Sequence, residues 1–367
     1  MDRVPYVNLA AQWTDEKHQL LPIVEAVLGS GQYIGGDEVA AFEHQAAIAF
    51  DVKHVVALNS GTDALACGLI AVGVRPGDEV ITPPNSFIAS TAAIVHIGAR
   101  PVFVDVGLDQ NIDPMLIEDA ITKKTKALMA VHFAGRMADM KAISDIAMKR
   151  NLAVIEDAAQ SAGSLLDNRS SGSWGKVGCF SAHPLKNLNA CGDAGFITTN
   201  DESIASQIRL ARNHGLVDRD TVQCFGFVSR MDTLQAAVLR FRLLKLASVV
   251  ERRRINVELY RSILNPQVVY CPPERSREFN TWHTFVIQVD KRDELKLFLA
   301  SRGIETAIHY PTPIHLQQAA RYLGHQQGDF PVTENLTERI LTLPIHQHLS
   351  FDQIRLVGES INEFFGV

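Results

Sequence analysis

The sequence predicts an α/β fold, a mostly parallel doubly wound sheet followed by a smaller α+β domain. Three observations lead there. Apolar segments at 54–58, 79–82, 101–105, 126–132 and 152–155 recur about every 25 residues, near-continuous in Val, Ile, Leu and Ala as strands buried on both faces are. Between them, at 62–72, 87–97, 114–121 and 139–150, apolar residues fall at helical spacing, which supplies the crossovers of parallel strands. Past residue 245 the pattern changes, so residues 1–245, with the N-terminal segment, read as the large domain and 246–367 as the smaller one.

Taken in order, residues 16–50 read as two helical pieces interrupted by GSGQYIGG at 29–36. That segment lacks a preceding strand and its third glycine is displaced, so it is not a dinucleotide fingerprint; it is a turn, either facing substrate through Tyr33 or simply connecting. After the alternating region come a strand at 194–199, a helix at 202–212 and an aperiodic loop at 213–229. One long helical pattern then starts at Met231, with Leu234, Ala237, Val238, Phe241 and Leu244 on one face, and runs to about Leu264 as a link between domains. The remainder reads as strands at 268–270, 284–289 and 305–309 and helices at 292–302, 334–340 and 351–364.

Composition narrows the class. A chain of 367 residues with 46% hydrophobic content can bury a large core. The net charge of −6 is not gathered into blocks, which argues against nucleic acid as partner. Five scattered cysteines without a CxxC pair form neither a disulfide framework nor a metal site, and fit a reducing cytoplasm. The first residues carry charges where a secretory leader needs an apolar run, and no stretch has the roughly 18 apolar residues of a membrane span.

The stretch from Leu152 to Gly195 concentrates the chemistry. An apolar strand ends in two acids, Glu156 and Asp157; Ser181 and Lys186 follow in a loop among Gly, Pro and Asn. A carboxylate at the carboxyl end of a strand and a lysine in a later loop are the two partners that pyridoxal 5′-phosphate requires. The lysine makes the Schiff base, and the acid keeps the ring nitrogen protonated. The turn Asn59-Ser60-Gly61-Thr62 follows a strand and opens a helix, so it serves as an anion cradle for the phosphate or as a plain N-cap. Phe87, after TPPNS, stacks on a cofactor ring or belongs to the core. Gln160 reaches a ring hydroxyl or caps a helix; Ser181 adds a hydroxyl to the phosphate; His183 faces substrate or is a polar loop residue. No GxxxxGK[ST], HExxH or GxSxG motif offers a rival site.

With these residues in hand, the chain resembles the DegT-type nucleotide-sugar aminotransferases of the fold-type-I pyridoxal phosphate superfamily, nearly end to end. The resemblance rests on GQYIGG, NSGTDAL, GDEVITPPNSFIAS, ARPVFVDV, VIEDAAQSAG, FSAHPLKNLNACGDAGFITTND, RNHG, SRMDTLQAAVL and HYPTPIH. It implies a homodimer with active sites at the subunit interface. Lys186 then carries the Schiff base, Asp157 pairs with the pyridine nitrogen and Gln160 contacts the ring hydroxyl. Gly61, Thr62 and Ser181 hold the phosphate, and Phe87 stacks. It further implies transfer of an amino group from L-glutamate to a nucleotide-linked keto sugar. The wording around PPNSFIAS and PLKNLNACG points to C3 of a dTDP-3-keto-6-deoxyhexose. His214, His309, Tyr310 and His315 fall in stretches that line the substrate side in similar proteins. Two departures stand out: Val228 replaces an asparagine that reaches the partner's phosphate, so that Ser229 or a backbone group substitutes or the phosphate has one ligand fewer, and His183 replaces a tyrosine. A sugar dehydratase on the same scaffold is the alternative, although such proteins carry His where this chain has Lys186. A non-catalytic cofactor-binding sensor is another, although such sensors add a DNA-binding module for which this chain has no basic segment.

Overall fold

The structure, a computed structural model, describes residues 3–367. Helices α1 (Leu9–Ser30) and α2 (Asp37–Ala49) lead into β1 (His54–Leu58), α3 (Gly61–Ala71), β2 (Glu79–Thr82), α4 (Ile88–His96) and β3 (Arg100–Phe103). Then follow α5 (Ile117–Ala120), β4 (Thr125–Val131), α6 (Met140–Arg150), β5 (Ala153–Asp157), the short β6 (Leu165–Leu166) and β7 (Arg169–Ser170), β8 (Val177–Ser181) and β9 (Gly195–Thr199). Helices α7 (Glu202–Ala211), α8 (Thr233–Leu243) and α9 (Leu246–Ile263) complete the first two thirds. The rest comprises β10 (Val269–Tyr270), β11 (Glu278–Phe279), β12 (Phe285–Val289), α10 (Arg292–Ser301), α11 (Pro331–Arg339), β13 (Ile340–Leu343) and α12 (Phe351–Phe365).

Seven strands form the main sheet in the order β1-β9-β8-β5-β4-β2-β3. Only β9 runs against the others, antiparallel to β1 on one side and β8 on the other. Side chains alternate across the sheet, and each face has its own core. Val56 and Leu58 of β1 and Met129 of β4 pack with Leu65, Leu69 and Ile94 under α3 and α4. Val55 and Ala57 point the other way, to Phe42, Phe50, Phe180, Phe196 and Leu239 beside α2 and α8. There Phe180 stacks on Phe196 with centroids 4.6 Å apart, and Phe50 lies 4.8 Å from Phe180. Each such fully buried ring contributes roughly 1.5–3 kcal/mol.

The C-terminal layer is a three-stranded antiparallel sheet, β10-β12-β13, whose core includes Val257, Tyr260, Phe285, Leu299, Leu341 and Ile361. Val4 bridges to Ile304 and is buried in the same cluster, so the segment leading into α1 rides on this layer and not on the large sheet.

Several elements differ from the sequence reading, the short β6, β7 and β11 and the earlier start of α1 at Leu9 among them. The pattern from Met231 to Leu264 is two helices, broken at Leu244 and Lys245 without Gly or Pro. The break lets α8 pack on α1 and α2 while α9 packs on α12. Strand β8 was not foreseen, because five residues between Gly/Ser-rich and Pro-containing loops show no distinctive period. Strand β13 follows directly on α11, where the reading had a helix to residue 340. Residues 305–309 form no strand; a single bridge joins Ala307 to Thr342, and the segment turns away to line a cavity.

Candidate active site

The carboxyl ends of β1, β5 and β8 and the start of antiparallel β9 all lie at one edge of the sheet. Two glycines allow the chain to close there. A Cβ on Gly195 would fall 2.3 Å from the Ser60 carbonyl carbon, and one on Gly61 would fall 2.6 Å from Ser181 Cβ. No larger residue fits either approach.

A cavity of about 450 Å³ opens at this edge. Into it the fold brings Lys186, Asp157, Gln160 and Ser181 from the sheet end, Ser60, Gly61 and Thr62 from the mouth of α3, and Phe87 from the start of α4. His183, His309 and Tyr310 line it too. Tyr33 and His214 lie outside the cavity of this chain, both on exposed surface. His315 is also elsewhere, buried against Glu334 at 3.0 Å.

The two acids that end β5 take different tasks because successive residues of a strand face opposite ways. Glu156 is fully buried and accepts N–H groups from Gly172, Trp174 and Gly175 at 2.8, 2.7 and 2.7 Å. It also meets His132 Nε2 at 2.9 Å. Since His132 Nδ1 accepts the Ala138 N–H at 3.2 Å, the network assigns the ring proton to Nε2. Glu156 is therefore fully used in knitting the backbone. Asp157 accepts Ser90 Oγ at 2.6 Å and the Ala159 N–H at 3.2 Å and keeps acceptor capacity toward the cavity. Burial raises its pKa, and the Ser90 and Ala159 hydrogen bonds and the nearby Lys186 charge oppose that rise.

Burial lowers the Lys186 pKa to about 8 against the opposing pull of Asp157, so a useful fraction of the amine is neutral near physiological pH. Ser60, not Thr62, caps α3, its Oγ accepting the Asp63 N–H at 3.1 Å. The first N–H groups of α3, at Gly61 and Thr62, have no partner within the helix and are available to an anion. Ser181 Oγ accepts the His183 N–H at 3.3 Å and retains its own proton to donate. Gln160 does not cap a helix: its Oε1 accepts the Ala134 N–H at 2.8 Å and its Nε2 donates to the Tyr310 hydroxyl at 3.3 Å. Phe87 is 55% exposed and lies 5.9 Å from the Tyr310 ring.

An amine, a buried acid with an open acceptor, an N-terminal cradle too tight for a Cβ and an exposed aromatic face together fit pyridoxal 5′-phosphate. Among the described residues no group of three or more His, Cys, Asp or Glu is arranged to hold a metal. The sequence reading missed Ser90, Tyr6, His283 and Arg253 in this site. Arg253 carried a usable signal, a charge at the apolar spacing of α9; Ser90, one hydroxyl on a small apolar helix, carried little.

Comparison with known proteins identifies the family. Residues 14–362 match the model of the DegT/DnrJ/EryC1/StrS aminotransferase family. The chain is 37% identical to dTDP-3-amino-3,4,6-trideoxy-alpha-D-glucose transaminase of Streptomyces venezuelae, over 99% of this chain and 96% of that one. It is 38% identical to UDP-N-acetyl-3-dehydro-alpha-D-glucosamine 3-aminotransferase of Acidithiobacillus ferrooxidans, over 98% and 97%. A crystal structure of S. venezuelae DesV in complex with a ketimine intermediate superposes with a TM-score of 0.98 at 37% identity, covering 100% of both chains.

Proposed function

The chain belongs to the DegT/DnrJ/EryC1/StrS aminotransferase family, and on that premise we propose that it moves an amino group from L-glutamate to the ketone of a nucleotide-linked sugar. The observation that carries this is the opening of Lys186 and Asp157 into one cavity with the Gly61–Thr62 cradle. Relatives named as dTDP-sugar and UDP-sugar transaminases support the acceptor class. Position 3 recurs in both of those names, which supports amination at C3; a dTDP-3-keto-6-deoxyhexose is the acceptor we favour.

Pyridoxal phosphate, the family's cofactor, supplies the electrophile and the electron sink. The chain does the rest. Asp157 would pair with the ring nitrogen, and Ser90, donating to Asp157 at 2.6 Å, keeps that carboxylate aligned. Gly61, Thr62 and Ser181 would hold the phosphate, Phe87 would cover a ring face and Gln160 would contact the ring hydroxyl. Lys186 Nζ, with a pKa near 8, takes a proton at one carbon and returns it at another. Ser60 acts by capping α3 and so fixing the cradle.

A homodimer with shared sites belongs to the same proposal. Trp13, Tyr33, Ile34, Phe225, Phe227 and Val228 are large apolar residues left exposed, more than a monomer's surface calls for. In such a dimer Tyr33 and His214 would serve the partner's cavity. At Val228, Ser229 is no free substitute for the missing asparagine, since its buried hydroxyl bonds Asn59 Oδ1 at 3.1 Å, which leaves a backbone group in that role or a phosphate with one ligand fewer. Among the described residues no helix is long and apolar enough to cross a membrane. All five cysteines are unpaired, which supports a reducing compartment, and we place the enzyme in the cytoplasm.

The test is mass spectrometry after incubation with L-glutamate and a panel of nucleotide keto sugars. Release of 2-oxoglutarate together with an aminated sugar is expected, and Lys186→Ala should abolish both. Turnover that survives in this variant sinks the assignment.

A further inference from the structure

Four arginines are buried among the described residues: Arg136, Arg242, Arg253 and Arg292. Three of them meet a carboxylate: Arg136 meets Glu278 at 2.8 Å, Arg242 meets Glu16 at 2.9 Å and Arg292 meets Asp293 at 2.7 Å. Arg253 makes no ion pair. It donates through Nη1 to the carbonyls of Trp282 and His283 at 3.2 and 3.0 Å and through Nη2 to Gln347 Oε1 at 3.4 Å, and its Nε has no partner. On α9 it sits in the buried stripe of Leu246, Val250, Val257 and Tyr260, where an aliphatic side chain would be the stable choice. Burial lowers its pKa only to about 10, so it stays cationic at neutral pH.

Arg253 lines the same cavity as Lys186. Nothing else in that wall balances its charge. Asp157 is engaged with Ser90 and faces Lys186, and Asp193 is an exposed residue. His283, His309 and His346 are held neutral by burial. Tyr6, stacked on His309 at 6.0 Å, has its pKa raised by burial and remains a neutral donor. Arg253 and Lys186 thus share the wall of one cavity of about 450 Å³, a volume that a small dicarboxylic amino acid can span.

We propose that Arg253 binds a carboxylate of the amino donor and so orients the donor's amine toward the reacting end of the cavity. A planar, two-oxygen anion matches a guanidinium that is already held by two carbonyls. The diphosphate of a nucleotide sugar is the other anion at hand. It is separated from the ketone by the pyranose ring and belongs nearer the mouth, whereas Arg253 is 7% exposed. The inference rests on the transamination reading above.

The two half-reactions of the holoenzyme can be followed separately by cofactor absorbance. With Arg253→Gln the dissociation constant for L-glutamate is expected to rise about 100-fold, and that for the amino sugar by less than about 3-fold. Equal losses, or a loss confined to the sugar, overturn the proposal. Arg253→Lys, which keeps the charge but not the fork, is expected to weaken L-glutamate about 10-fold. Should neither variant fold, a crystal structure of the wild-type holoenzyme with glutarate decides, since a carboxylate on Arg253 supports the proposal and one bound elsewhere refutes it. A wild-type enzyme whose spectrum ignores L-glutamate would instead overturn the transamination reading, with glutarate binding still measurable by calorimetry.

Discussion

The amine of Lys186 is held in surroundings that disfavour its charged form, and the folded apoprotein carries that penalty. Its pKa falls from 10.5 to about 8 because burial strips water from the ammonium group. Well below pH 8 the group is protonated in both the folded and unfolded chain, and the penalty is present in full. Between pH 8 and 10.5 the unfolded chain binds more protons, so this group's contribution to stability improves as pH rises. Lys186→Met is therefore expected to stabilise the apoprotein at pH 7 by about 2–3 kcal/mol, with the gap closing across that window. Calorimetric melting at several pH values tests this, and a gap independent of pH would refute it. Lys186 and Asp157 were legible in the sequence because strand ends and Gly/Pro/Asn loops mark where ligands bind. Strand alternation sets the neighbouring Glu156 among backbone N–H groups and leaves Asp157 to the cavity. Arg253 and Ser90 were hidden. Their roles depend on what α9 and α4 pack against, and that is decided by residues distant in the chain.

At the scale of elements, the cradle depends on three chain segments meeting without side chains between them. Gly195→Ala places a methyl group 2.3 Å from the Ser60 carbonyl carbon, and β9 cannot retreat while paired on both sides. The variant is expected to lose about 2–3 kcal/mol of stability and to release its cofactor on dialysis. Thermal melting and the cofactor absorbance check the two effects, and a stable variant that retains its chromophore would mean the close approach is not required. Strands β1, β2, β4 and β5 and their crossover helices were readable because long apolar runs and helical periods have few other interpretations. The misread elements share one property. Strand β8 lies between Gly/Ser-rich and Pro-containing loops, β13 continues directly from the helical pattern of α11, and the α8–α9 corner has no helix breaker, so tertiary packing and not local preference defines them.

At the scale of the whole molecule, the proposed homodimer would cover exposed apolar residues such as Tyr33, Phe227 and Val228. Phe225 is fully exposed in the segment that also carries Val228. Phe225→Asp is expected to shift a dimer toward monomer in sedimentation velocity at micromolar concentration, with turnover falling in step with the dimer fraction. Full activity in a clean monomer would remove the shared-site arrangement while leaving the chemistry of Lys186 intact. The single reversed strand has a consequence of its own. Ser60 and Gly195 touch across the sheet edge although more than half of the large layer's chain lies between them. A ribosome-bound fragment that stops short of β9 has the lysine and the acid but no closed seat for the coenzyme's anionic end. Coenzyme retention is thus expected only of chains that have completed β9, and a bound coenzyme would stabilise those chains over unfolded ones.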